Sequence, residues 1–183
     1  MLKVVTLALS LLAAACSAQN DAASPNAARE QLAARYQDRP IPNMPLIDAQ
    51  GAEKLMVPDD YDPAKPLVVN LWATWCTPCI KEMPSLLDLH QSGEAVVVAV
   101  STDRMTERVG TFLTQHGLND LPVRIDPGAR ALRAADLTPP ALPITFIVRR
   151  QPDGTFVIKG AELGEREWAH PTMRRKIRQV FDR

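Results

Sequence analysis

Two thiols stand one helical turn apart in this chain: Cys76 and Cys79, in the run Trp75-Cys76-Thr77-Pro78-Cys79. Sulfurs separated by two residues at the start of a helix can close a small disulfide with little backbone motion. Upstream, Leu67-Val68-Val69-Asn70-Leu71-Trp72 is a nearly continuous apolar run, the pattern of a strand buried on both faces. Downstream, from Ile80 to Gln91, Ile80, Met83, Leu86 and Leu87 recur at helical spacing. Cys76 therefore marks a junction from strand to helix. The unsatisfied amides and dipole of a helix start favour negative charge there, so the Cys76 thiolate gains most. Its pKa is expected to fall from about 8.5 toward neutrality or below. The chemistry implied is thiol–disulfide exchange, with Cys76 attacking a disulfide and the more buried Cys79 resolving the mixed disulfide.

Metal binding is the competing use of such a pair. Zinc takes about four ligands, and the chain has no second Cys-x-x-Cys; His90, His116 and His170 are isolated and read as surface or capping residues. No metal and no cofactor beyond the redox-active disulfide is expected. The third cysteine, Cys16, lies in a different kind of segment. Three cysteines, two nearly adjacent, make a poor disulfide scaffold.

The cysteine pair has to be carried by one domain. Of 183 residues, the first 18 read as a leader: Met1-Leu2-Lys3, then an apolar run from Val4 to Ala15 broken by Thr6 and Ser10. The run is shorter than the ~20 apolar residues of a transmembrane helix. Leu12-Ala13-Ala14-Ala15-Cys16 resembles a bacterial lipobox, with Ala13 where Leu is usual. It makes Cys16 a lipidation candidate, with Ser17 after it pointing to the outer membrane. Cleavage after Ala18, discarding Cys16, is the alternative. Residues 19–40 are expected to form a tether with no core, Ala27 to Arg39 making one or two weak helical turns. The domain is assigned to residues 41–183. A domain of about 150 residues buries roughly 68–70% of its unfolded surface and needs no staples. Zero net charge argues against a nucleic-acid partner.

Within the domain, Met44–Ile47 and Leu55–Val57 around Gln50-Gly51 suggest a small hairpin. After the active-site helix come a buried strand (Ala95–Val100), a helix (Thr106–His116, closed by Gly117), a short strand (Leu121–Ile125) and a short helix (Ala129–Ala135). Ile144–Val148 and Thr155–Lys159 flank Pro152-Asp153-Gly154 as a second hairpin. A last amphipathic helix follows Pro171, with Met173, Ile177 and Phe181 on one stripe. The order is βαβ, then ββα: one α/β domain.

Val69 to Cys79 with Glu82-Met83-Pro84, and Pro143 in Ala141-Leu142-Pro143-Ile144, resemble the TlpA-like branch of the thioredoxin superfamily. The likeness runs from about Ile41 to the C-terminus. It implies a thioredoxin-like fold, a central mixed sheet flanked by helices with an N-terminal hairpin extension. It also implies a membrane-tethered or periplasmic thiol–disulfide reductase, with cytochrome c maturation one of the branch's roles. By the same resemblance Pro143 is a cis-proline facing the cysteines, and the Leu142 backbone binds an extended substrate by strand addition. Trp75, Thr77 and Pro78 are the other substrate-contacting candidates. Trp72 is expected in the core and Trp75 at the exposed rim.

Cytosolic thioredoxins carry a buried aspartate at the position of Asn70, and an amide cannot accept the Cys79 proton. Two carboxylates can replace it. Asp103 follows strand Val96–Val100, near where some TlpA-like proteins place a glutamate, and competes with an ordinary loop or capping role. Glu82 lies one turn past Cys79 and reads more as structural or modulating, with Pro84 kinking the helix. The partners implied are disulfide-bearing exported proteins, apocytochrome c among them, and a membrane electron donor. A monomer is expected. An oxidant or isomerase is the nearest alternative function. A peroxidase pattern wants Thr or Ser at Ala73 and a more distant second cysteine. A copper- or haem-handling lipoprotein would want more widely spaced cysteines and a distant histidine.

Overall fold

The computed structural model describes residues 25–183; the leader and Cys16 lie outside the described residues. The elements follow the order α1 (Pro25–Tyr36), β1 (Pro45–Ile47), β2 (Glu53–Leu55), β3 (Leu67–Trp72), α2 (Thr77–Gln91), β4 (Val96–Ser101), α3 (Thr106–Gln115), β5 (Val123–Ile125), α4 (Arg130–Ala134), β6 (Ile144–Arg150), β7 (Phe156–Leu163) and α5 (Pro171–Phe181). The fold is thioredoxin-like α/β. Among the described residues seven strands form one sheet in the order β2-β1-β5-β4-β3-β6-β7. β3, β4 and β5 run parallel through helical crossovers, while β6 and β7 return antiparallel.

β3 is buried at all six positions, which is why it reads as an unbroken apolar run rather than an alternation. Side chains still alternate across the sheet. Leu67, Val69 and Leu71 enter the layer shared with Tyr36, Leu132 and Phe146, whereas Val68 and Trp72 face α2, α3 and α5 through Met83, Leu86, Phe112 and Ile177. Asn70 falls in phase with Val68 and Trp72, so its amide is delivered under α2.

The described part of residues 19–40, expected to be a tether with no core, corrects that expectation. It forms the 12-residue helix α1, and Tyr36 at its end is fully buried, its ring 5.0 Å from that of Phe146. The Tyr36 hydroxyl donates to the carbonyl of Thr138 at 3.0 Å. The segment beyond it then lies along β7: Asp38 N–H donates to Ile158 O, Ile158 N–H to Arg39 O, and Ile41 N–H to Phe156 O. This covers the outer edge of a strand that would otherwise offer unpaired backbone groups. Alanine dominates α1, leaving Leu32 and Tyr36 as its large apolar residues, too few to make a stripe.

The hairpins form where expected with shifted bounds. β7 runs on to Leu163 because Gly160 is not a strand end. A Cβ there would stand 2.7 Å from Val180 Cγ1 of α5, so glycine lets the closing helix pack onto the sheet. Among the described residues no helix is long and apolar enough to cross a membrane.

Candidate redox site

Cys76 caps α2 at its N-terminus in extended conformation, with Pro78 in the first helical turn. Proline is accepted there because its missing N–H has no intrahelical acceptor to serve. The first helical hydrogen bond runs from Ile80 N–H to Cys76 O at 3.1 Å. Cys76 and Cys79 form a disulfide with Cα atoms 5.2 Å apart. Cys76 is 5% exposed and Cys79 is fully buried, so a partner can reach the first sulfur and not the second. Trp75, beside them, is 71% exposed, whereas Trp72 is buried against Phe112. Thr77 lies exposed and Pro78 half-buried.

The Leu142–Pro143 peptide is cis. Leu71 pairs with Ile144 across β3 and β6, so Pro143 and the half-buried Leu142 stand at the sheet end from which β3 leads to Cys76. The Pro143 carbonyl is occupied, accepting from Gly164 N–H at 2.9 Å.

The two carboxylates separate clearly. Asp103 is buried and accepts three hydrogen bonds: from Thr74 N–H at 2.9 Å, the Thr74 hydroxyl at 2.8 Å and the Ser101 hydroxyl at 2.7 Å. It ties the loop carrying Trp75 and Cys76 to the end of β4. Glu82, read from the sequence as more structural or modulating, is 1% exposed and lies against Asn70. Its Oε1 accepts from Asn70 Nδ2 at 2.7 Å. Its Oε2 accepts from Trp168 Nε1 at 2.9 Å and Arg166 N–H at 3.0 Å. Burial pushes the Glu82 carboxyl up to about 7, against the pull of the Trp168, Asn70 and Arg166 donors and the Arg166 charge. A carboxyl ionising near neutrality, one turn past a buried thiol, suits proton exchange with that thiol.

Asn70 Nδ2 also donates to Thr145 Oγ1 at 2.8 Å. Residues 70 and 145 are direct partners across β3 and β6, so their side chains share one face. Trp168 and Arg166, joined to Glu82 by the course of the loop before α5, and Thr145, joined to Asn70 by pairing register, escape a sequence reading. Asn70 was the one available signal: a polar residue at the centre of an apolar strand needs a buried partner.

Two histidines cap helices. His116 ends α3, and His170 begins α5, its ring accepting from Thr172 N–H at 3.3 Å. Among the described residues no group of three or more His, Cys, Asp or Glu side chains is placed to hold a metal ion.

The AhpC/TSA family matches residues 38–155. Thiol-disulfide oxidoreductase ResA of Bacillus thuringiensis subsp. konkukian (strain 97-27) is 31% identical over 129 residues, covering 68% of this chain and 70% of that protein. ResA of Bacillus subtilis (strain 168) is 34% identical over 119 residues, 63% of this chain and 62% of its own length. Among solved structures, a thiol:disulfide interchange protein of the thioredoxin family from Chlorobium tepidum TLS superposes with a TM-score of 0.58 at 20% identity. That match covers 79% of this chain and 97% of that one, and speaks for the fold.

Proposed function

Because the chain belongs to the AhpC/TSA family, we propose that this thiol–disulfide oxidoreductase works outside the cytoplasm as a reductase of disulfides in exported proteins. The observation that carries the reading is the Cys76–Cys79 disulfide at the start of α2, with Glu82 buried one turn further in and ionising near 7.

In the reduced enzyme the Cys76 thiolate attacks a substrate disulfide. One substrate sulfur bonds to Cys76, and the other leaves as a thiolate that takes a proton. Glu82 accepts the proton of Cys79, whose thiolate then attacks the Cys76 sulfur and expels the second substrate thiolate. The enzyme ends as the Cys76–Cys79 disulfide, and two electrons have passed to the substrate. The proton held by Glu82 balances the second substrate thiol. A membrane electron donor restores the dithiol.

Leu142 and Pro143 form the substrate-binding edge, to which an extended peptide adds by backbone hydrogen bonds, and Trp75, Thr77 and Pro78 complete the rim. Asp103 acts as a positioning residue for the loop before Cys76. Residues 1–18 direct export, and Cys16 carries a lipid that holds the protein at a bacterial membrane. Apocytochrome c is a substrate of the right chemistry, a protein presenting a cysteine disulfide outside the cytoplasm.

The test is substrate trapping with Cys79→Ala in the exporting cell, together with the potential of the wild-type couple. A reductase gives mixed disulfides through Cys76 and a potential nearer about −270 mV than the about −120 mV of a strong oxidant. An empty trap with an unperturbed Cys76 thiol would overturn the reading. Mass spectrometry of the mature N-terminus decides between lipidated Cys16 and cleavage after Ala18.

A further inference from the structure

Among the described residues two buried side-chain atoms lack a hydrogen-bond partner, Asn70 Oδ1 and Trp72 Nε1, and of the two side chains it is the Asn70 amide that bonds Glu82. Its Nδ2 donates to Glu82 Oε1 at 2.7 Å and to Thr145 Oγ1 at 2.8 Å. Its Oδ1 is buried without a hydrogen-bond partner among the described residues. With no partner at Oδ1, the amide's orientation is set at its other end, by Glu82 and Thr145.

The arrangement suits one protonation state of Glu82. As a carboxylate, Glu82 accepts from every neighbour: Asn70 on Oε1, and Trp168 Nε1 and Arg166 N–H on Oε2. An indole N–H and a backbone N–H are donors only. A proton arriving on Oε2 would displace them, so it belongs on Oε1, where it meets the Asn70 NH2, again a donor. The conflict is relieved if the amide turns by about 180° about its terminal torsion, which is broad and roughly two-fold for Asn. Oδ1 then occupies the former place of Nδ2. It accepts from the Glu82 hydroxyl and from the Thr145 hydroxyl, which can donate as well as accept.

We propose that Asn70 is a positioning residue that reverses its amide each time Glu82 gains or loses a proton, giving each state of the carboxyl a matched partner. The inference rests on the reading of Glu82 as proton acceptor for Cys79. During exchange the reversal holds the proton on Oε1 until it is returned. Thr145 serves both orientations, as acceptor in one and donor in the other, and stands two residues past Pro143 on the strand that leads from the substrate edge. An aspartate at position 70 would instead set a second acid beside Glu82, and an aliphatic residue would leave Oε1 without a partner in either state.

The charged groups facing Glu82 from other elements come from the loop before α5, where Glu165, Arg166 and Glu167 line a cavity of about 100 Å³ together with Glu82 and Lys81 of its own helix. Lys81 pairs with Glu165 at 3.9 Å. β3 presents the uncharged Asn70 to Glu82, and β6 presents the uncharged Thr145 to that amide, so the amide answers to this carboxyl.

The experiment is NMR on the oxidised protein from pH 5 to 9, following the Glu82 carboxyl carbon together with contacts between the Asn70 NH2 protons and the Thr145 side chain. Above the Glu82 midpoint those contacts are expected; below it they vanish as the NH2 turns away. Glu82→Gln places an NH2 opposite Asn70 at every pH, so it should lock the low-pH pattern throughout. Contacts that persist on both sides of a clear Glu82 titration would overturn the reversal while leaving Glu82 as the proton acceptor. A Glu82 carbon that does not titrate in this range, with exchange rates unchanged in Glu82→Gln, would instead remove the reading beneath it.

Discussion

Trp168 Nε1 donates to Glu82 Oε2 at 2.9 Å across 86 positions of sequence. A fully buried indole from the loop before α5 thus reaches beneath the active-site helix. Its N–H stabilises the charged form of a carboxyl that burial otherwise drives toward neutrality.

Trp168→Phe keeps most of the ring and removes that donor. Hydrogen bonds to charged groups contribute about 1.5–3 kcal/mol, so the Glu82 midpoint should rise above about 7 by roughly one to two pH units. Carbon-13 titration of the carboxyl measures it. A midpoint unmoved in Trp168→Phe would mean that the indole does not stabilise the anion.

The same carboxyl ties stability to pH. Glu82 ionises at about 7 in the folded chain, against an ordinary value of 4.5. Between those values the folded state holds a proton that the unfolded state has lost, so stability falls as pH rises through that window and levels off above it. The displacement corresponds to roughly 3 kcal/mol. Glu82→Gln lacks this component. Urea unfolding of the oxidised proteins should show the variant gaining on the wild type by up to ~3 kcal/mol between pH 4.5 and 8. A pH-independent difference would show that Glu82 ionises at its ordinary value.

Asp103 and Glu82 should separate by kind of effect. Asp103→Ala strands the Thr74 amide and two hydroxyls that now donate to it, costing about 1–3 kcal/mol of stability. By loosening the loop before Cys76 it should slow exchange at every pH without moving the pH midpoint. Glu82→Gln should move the midpoint. Rate profiles of both variants against one protein disulfide decide, and a shifted midpoint in Asp103→Ala would make Asp103 a proton carrier.

Trp75, at 71% exposure, is free to serve partners. Trp75→Ala should leave stability within about 0.5 kcal/mol and raise KM for a protein disulfide by roughly tenfold, as loss of an aromatic anchor does. Reduction of a small aromatic disulfide should be nearly unchanged. An equal loss on both substrates would place Trp75 in the chemistry rather than in recognition.

Much of the molecule was legible in its sequence. Leu67 to Trp72, the helix after Cys79, the cis-proline position and the opposite exposures of Trp72 and Trp75 all follow from apolar run length, spacing and resemblance. What stayed hidden depends on register. Asn70 announced a missing acid, yet the sequence favoured Asp103 and read Glu82 as more structural or modulating. The choice turns on the alternation that puts Asn70 under α2, and on a loop 84 to 86 residues from Glu82 that brings Arg166 and Trp168 to it. α1 was hidden for another reason: an alanine-rich helix has no apolar stripe, and its single anchor falls at the last residue.

That anchor gives the final test. Tyr36 is fully buried, packs on Phe146 and donates to Thr138 O, while the chain just after it seals the edge of β7. Removing a buried aromatic side chain costs about 3–5 kcal/mol, so Tyr36→Ala should approach that loss. Tyr36→Phe, which strands the Thr138 carbonyl while keeping the ring, should cost about 1 kcal/mol. Denaturant unfolding of the two variants checks the order. If residues before Ile41 were a tether, both substitutions would be silent and a chain begun at Ile41 would keep full stability. With Tyr36 in the core, that shortened chain should unfold earlier and expose the β7 edge to self-association, read as concentration-dependent light scattering.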